Sequence, residues 1–151
     1  MASISRARTF AADPQKIWDV LADFGAISTW AARVDHSCLL GPAPDEGSIG
    51  VARRLQVGRN TLIERIVEFE APHRLAYDIE GLPRAAGRLR NHWELRAMAP
   101  GLTAVTLTST VDIGSSPPAR LAERVVCRVA AKQSDELLTG LAASVEDGRS
   151  V

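Results

Sequence analysis

Along most of this chain, apolar and polar residues alternate at every second position, as in strands covered on one face. In "GRLRNHWELRAM", residues 87–98, Arg88, Arg90, His92, Glu94 and Arg96 fall on one side. Leu89, Asn91, Trp93, Leu95 and Ala97 fall on the other, so an amide sits in an otherwise apolar row. In "TAVTLTSTV" the inner set is Val105, Leu107, Ser109 and Val111, opposed by threonines. Similar runs predict strands over 3–11, 34–40, 49–57, 60–70, 74–81, 86–98 and 102–113. The turn-forming stretches "GPAPDEG", "VGRN", "EAPHR" and "APG" separate most of them.

Two segments change to a helical period. Asp13 reads as an N-cap with Pro14 in the first turn, and Ile17, Trp18 and Leu21 follow at helical spacing. Gly25 is expected to end that helix before a second short one carrying Ile27 and Trp30. From Ser116, an expected N-cap, a long helix over 117–146 has Leu121, Val125, Val129, Leu137 and Leu141 as its apolar stripe. Gly140 inside it costs about 1 kcal/mol relative to alanine, which points to a close approach at that position. Short turns imply an antiparallel meander. Its apolar face needs a cover, and the last helix is the one element long enough. The expected fold is α+β: a curved antiparallel sheet of about seven strands, in the order strand, two helices, six strands, helix, wrapped around the C-terminal helix.

The space between sheet and helix is where a guest would lie. Tyr77 shares a face with Leu75 and Ile79; His36 with Val34, Cys38 and Leu40; Arg53 with Val51, Leu55 and Val57. Residues 60–70 are ambiguous: Leu62, Glu64 and Ile66 form one face, Ile63, Arg65 and Val67 the other, and a bulge before Phe69 would change the register. The candidate binding residues are therefore His36, Arg53, Leu55, Glu64, Tyr77, Asn91, Trp93, Leu107, Ser109 and Val125. Arg53 with Glu64 reads equally as a structural ion pair or as ligand contacts, and Asn91 with Ser109 as a mutual hydrogen bond or as ligand contacts. Buried polar groups without partners cost about 1–3 kcal/mol, so a core built for stability alone would use valine at several of these positions. An apolar cavity with a few polar groups to orient a guest explains them.

Composition narrows the function. Lysine plus arginine equals aspartate plus glutamate, 18 each, which gives no overall pull toward nucleic acid or anionic membrane and leaves only local patches open. The 151 residues are expected to form one domain over the whole chain, 1–151. No apolar run is long enough for stable membrane insertion. The start of the chain does not read as a secretory signal, and the two cysteines, Cys38 and Cys127, make no disulfide framework. A cytoplasmic setting is expected. His36 and Cys38 lack a third ligand at metal spacing, so no metal and no cofactor is expected. No GxSxG-type nucleophile motif occurs, and no catalytic residue is assigned. The tail "EDGRSV" reads as ragged.

The chain resembles the START-like (SRPBCC) superfamily, nearest the polyketide cyclase/dehydrase and lipid-transport group. The resemblance rests on "ADPQKIWDVLADF", "GSIGVARRLQVG", "LIERIVEFEAPHRLAYDIEGLP", "NHWEL" and "TAVTLTSTV", and runs over residues 3–145. It implies a helix-grip fold with an apolar cavity for lipids, sterols, polyketides or hormones. Some relatives cyclise or dehydrate polyketides, and many only bind and carry. The Arg-x-Leu at Arg53 and the Glu-Arg at Glu64 match recurring positions of the group. The expected partner is a small hydrophobic ligand, carried or bound, with a homodimer left open; a cyclase or dehydratase acting on such a ligand is the alternative. A protein-docking module would show a large exposed apolar patch, which the polar outer strand faces do not suggest.

Overall fold

The computed structural model describes residues 1–41, 49–82 and 87–147. Strand β1 (Ala2–Phe10) leads into helix α1 (Pro14–Leu21) and a 3₁₀ turn (Phe24–Thr29). Strands β2 (His36–Leu40), β3 (Ala52–Val57), β4 (Asn60–Glu70), β5 (Arg74–Glu80), β6 (Arg88–Ala99) and β7 (Leu102–Asp112) follow, and helix α2 (Pro117–Asp147) closes the chain. The predicted ranges hold closely; the largest difference is β3, which starts at Ala52 rather than residue 49. The expected turn over 42–47 and the ragged tail beyond residue 147 lie outside the described residues.

The strands form one curved antiparallel sheet in the order β1-β7-β6-β5-β4-β3-β2. From β3 onward each strand pairs with its predecessor, while β1 lies at the far edge beside β7, with β2 at the opposite edge. The inner face, α1, the 3₁₀ turn and the second half of α2 share one apolar core containing Phe10, Ile17, Trp18, Phe24, Trp93 and Leu141. The pairing of β4 with β5 shifts between Ile66 and Glu68. Glu64 and Ile66 are buried before the shift, and Phe69 packs on Trp18 after it, with ring centroids 5.1 Å apart. The bulge thus resolves the ambiguous strand in favour of the Glu64 face.

Two local devices set the ends. Ser116 caps α2, its Oγ accepting from Ala119 N–H at 3.3 Å. Asp13 makes no cap bond; its Oδ1 instead accepts from the Gly101 N–H at 2.6 Å, tying the start of α1 to the β6–β7 turn. Gly140 sits against the Trp30 carbonyl, where an added Cβ would collide with the oxygen. Its lost helix propensity is offset by that approach of helix to loop.

Two expectations about facing are corrected. The β2 residues His36 and Cys38 are exposed, so the predicted face points outward. Ser37 and Leu39 pair with the inward Leu55 and Arg53 instead. Ser37 Oγ donates to the Gly25 carbonyl at 2.7 Å and accepts from Ser28 N–H at 3.0 Å, which fixes the register. On α2, Val125 is 57% exposed, with Leu121 and Val129 beside it on the outside. The buried face is made of small residues, Cys127, Ala130, Ala131, Ser134 and Ala142, with Leu138, Leu141 and Val145. Small side chains let the helix lie close to the sheet, which turns the bulky row away.

Candidate functional site

A cavity of about 170 Å³ lies between the inner face of the sheet and the middle of α2. Leu55 and Val57 of β3, Leu62 of β4, Ile79 of β5 and Leu89 of β6 give it apolar walls. Ile27, Ala31 and Val34 close one side, and Ala130, Ser134 and Leu137 of α2 form the roof. Arg33 and Glu136 lie on its rim and form a two-point ion pair between the loop after the 3₁₀ turn and α2. The Arg33 guanidinium holds the Glu136 carboxyl below the usual glutamate range, and Glu136 raises Arg33 in turn.

The antiparallel register places the polar groups in two cross-strand rows. Arg53 stands opposite Glu64, which stands opposite Ile79. Tyr77 stands opposite Asn91, which stands opposite Ser109. Of the expected site residues, Leu55, Glu64, Tyr77, Asn91 and Ser109 line the cavity. Arg53, Trp93 and Leu107 are buried in the core rather than on its wall. His36 and Val125 lie outside, on exposed surface.

Arg53 is held on all sides. Its Nε and Nη2 both reach Glu64 Oε1, at 2.7 and 2.6 Å, and its Nη1 donates to the Phe24 carbonyl at 3.0 Å. The guanidinium lies 3.7 Å from the Phe24 ring centroid and 4.7 Å from that of Tyr77. A buried charge is tolerable when it is paired, hydrogen-bonded and stacked in this way. No described residue bonds Glu64 Oε2, which leaves that oxygen to the cavity Glu64 lines.

The second row answers the question set by Asn91 in its apolar face. Ser109 Oγ and Asn91 Oδ1 are 2.6 Å apart. That separation suits O–H···O and is short for N–H···O, so the amide oxygen faces Ser109 and accepts its proton. Asn91 Nδ2 then points to Tyr77 Oη at 3.5 Å, and Trp93 Nε1 donates to the same oxygen at 3.2 Å. Tyr77 Oη therefore accepts, and no described residue takes its own hydrogen. Burial pushes the phenol pKa up, and the Glu64 charge adds to the rise. Tyr77 is a neutral donor at physiological pH.

The sequence reading missed Ser134, Arg33 and Glu136. Ser134 was legible as one step of Ala130, Ser134 and Leu138, an i, i+4 row on the buried side of α2. The Arg33–Glu136 pair joins residues far apart in sequence, and no local pattern signals it. Among the described residues, no group of three or more His, Cys, Asp or Glu is placed to hold a metal ion. Among the same residues, no helix is long and apolar enough to cross a membrane.

Solved structures share this architecture. The Zhui aromatase/cyclase from Streptomyces sp. R1128 superposes with a TM-score of 0.78 at 19% identity, over 96% of this chain and 93% of that one. A START superfamily protein from Mycobacterium smegmatis gives 0.74 at 16%, over 96% and 97%. A Thermobifida fusca protein solved by NMR gives 0.72 at 28%, over 96% and 93%. No curated protein matches the chain by sequence. The family model described as polyketide cyclase / dehydrase and lipid transport matches residues 1–146, and the chain belongs to that family.

Proposed function

We propose that the protein binds a small, largely apolar molecule bearing oxygen in this cavity, as a carrier or binding protein. The observation that carries the reading is the pairing of apolar walls with one polar side. There the Tyr77 hydroxyl offers a proton and Glu64 Oε2 offers an acceptor. A cavity of about 150 Å³ is enough to admit benzene, so the space here suits a guest, or a guest's leading part, on the scale of one ring. A ring carbonyl would accept a hydrogen bond from the Tyr77 hydroxyl, and a ring hydroxyl would donate to Glu64. An anionic head such as a free carboxylate would meet Glu64 as a like charge and is disfavoured.

A cyclase- or dehydratase-type reaction on the same guest is the second reading, favoured by donor and acceptor facing one enclosed space. In that case Tyr77 polarises a carbonyl and Glu64 accepts a proton. The family and the likeness to an aromatase/cyclase structure fit either reading.

Native mass spectrometry of freshly purified protein is the direct test, with displacement of an environment-sensitive apolar dye by cyclic phenols and ketones. Bound mass or displacement by neutral oxygenated rings is the expected result. Neither adduct nor displacement would remove both readings. Turnover of a displacing polyketone would select the enzyme.

A further inference from the structure

The outward face of the first half of α2 has no role in the core or the cavity, yet it carries the bulkiest residues of that segment. Leu121, Val125 and Val129 are 64%, 57% and 54% exposed. Their spacing of four aligns them in one row along the helix. Arg120, Arg124, Arg128 and Lys132 repeat with the same spacing and are all exposed, forming a basic row beside it.

Most of the charge of this strip is uncompensated, although Lys132 at its end acts on Glu136. Glu123 is the one acid between residues 117 and 134, and it is 2% exposed. Its Oε2 is taken by the Ile113 N–H and the Met1 amine, both at 2.9 Å. None of the four cations forms an ion pair among the described residues. In a chain with formal net charge zero, this is a local excess of positive charge laid against an aliphatic row.

We propose that this strip is a docking face for an anionic lipid surface, on which α2 lies flat. Aliphatic side chains enter the boundary between headgroups and acyl chains, while the cations meet anionic headgroups; helices that lie in the interface plane combine these two features. A second copy of the chain fits poorly, because a two-fold pairing through this face brings basic rows together. The helix docks peripherally and does not span. Gln133, one turn beyond Val129, lines the cavity, so the docked helix holds the cavity roof about 6 Å further along its axis. A guest taken from the lipid would have a short path. The surface itself is independent of what the cavity holds.

Co-sedimentation of the full chain with phosphatidylcholine vesicles, with and without phosphatidylserine, tests the proposal. Binding is expected only with phosphatidylserine, and it falls as salt rises. Arg124→Gln with Arg128→Gln should weaken it about thirtyfold, from about fivefold per cation. Leu121→Ser with Val125→Ser should weaken it as well. Both pairs should keep the wild-type melting temperature and dye binding, since the changed side chains are exposed. Failure of folded wild-type protein to bind phosphatidylserine vesicles overturns the proposal. So does binding that neither pair of substitutions weakens. Loss on the charge substitutions alone, with equal capture by polyglutamate, assigns the strip to an acidic protein instead. Conversion of a dimer to a monomer by the serine pair, without vesicle binding, assigns it to a second copy.

Discussion

The inner face of the sheet carries polarity in two forms, set in adjacent cross-strand rows. Arg53 and Glu64 are a charged pair whose donors are consumed by Glu64 Oε1, the Phe24 carbonyl and two aromatic faces. Tyr77, Asn91 and Ser109 are a neutral row in which each hydrogen bond hands on to the next group and the last hydrogen has no acceptor among the described residues. The pair is closed around its cation and open only at one carboxylate oxygen. The row is open at its end by design of its direction: Ser109 donates to Asn91, Asn91 leans on Tyr77, and Tyr77 is left to donate. On the proposed function, the difference separates what holds the wall together from what would read a guest.

Removing one member of the pair should give the largest effect. Arg53→Met or Glu64→Leu strands a buried charge and should cost about 3–5 kcal/mol in urea unfolding, while the double variant returns near wild type. That double variant should bind hydroxyl-bearing rings about tenfold more weakly, equivalent to about 1.4 kcal/mol, and bind hydrocarbon rings unchanged. Single variants that melt like wild type would mean the pair is solvated, and the contrast between the two rows would collapse.

In the neutral row the costs should be smaller. Asn91→Leu leaves the Ser109 hydroxyl without its acceptor and should cost about 1–3 kcal/mol by the same assay. Tyr77→Phe leaves the Trp93 N–H buried and should cost about 1 kcal/mol. Its main effect should be on guests: ketones lose affinity about tenfold, by loss of one hydrogen bond of about 1.4 kcal/mol, and hydrocarbons do not. Equal loss for ketones and hydrocarbons would show that Tyr77 acts by shape alone.

A charged pair on the outer face of the same strands sharpens the contrast. Arg90 and Asp78 stand back to back with Asn91 and Tyr77, joined at 2.5 Å but about half exposed. Asp78→Asn should cost less than about 1 kcal/mol, because solvent screens the pair. The smallest effect on stability belongs to the rim. Glu136 has its carboxyl pKa lowered by Arg33, so the bond it makes is present at neutral pH and above the unfolded glutamate range. It is lost as pH falls below that range and through the lowered folded value. Guest release measured by stopped-flow should quicken over that acid window, and Glu136→Gln should remove the pH dependence. A flat profile in the wild type would show that the rim does not limit exchange.

Where sequence alone sufficed, alternation and burial agreed. β7 is unambiguous because Val105, Leu107 and Val111 alternate with threonines, so Ser109 could be placed inside without a structure. β2 offered no such signal, since Leu39 and Leu40 are both apolar. Its facing is decided by Ser37 reaching the Gly25 carbonyl, a contact from another element. On α2 the expected apolar stripe holds at Leu137 and Leu141 and fails at Leu121, Val125 and Val129, where the helix packs through alanines and a cysteine close to the sheet. Gly140 was the readable clue that approach distance, rather than side-chain volume, governs that helix. The rows Arg53–Glu64 and Tyr77–Asn91–Ser109 follow from register, which turn lengths and the bulge in β4 set together.

The hydrogen bond from the Trp93 indole to Tyr77 Oη has a practical consequence. A guest that accepts a hydrogen bond from the Tyr77 hydroxyl would polarise the oxygen to which that indole donates, and should shift the emission of Trp93. Trp30 meets Trp93 edge-on, with centroids 6.1 Å apart, while Trp18 packs against Phe69. If the cavity takes the guest proposed for it, Trp93 would report its occupancy, and a titration followed by tryptophan fluorescence would need no label.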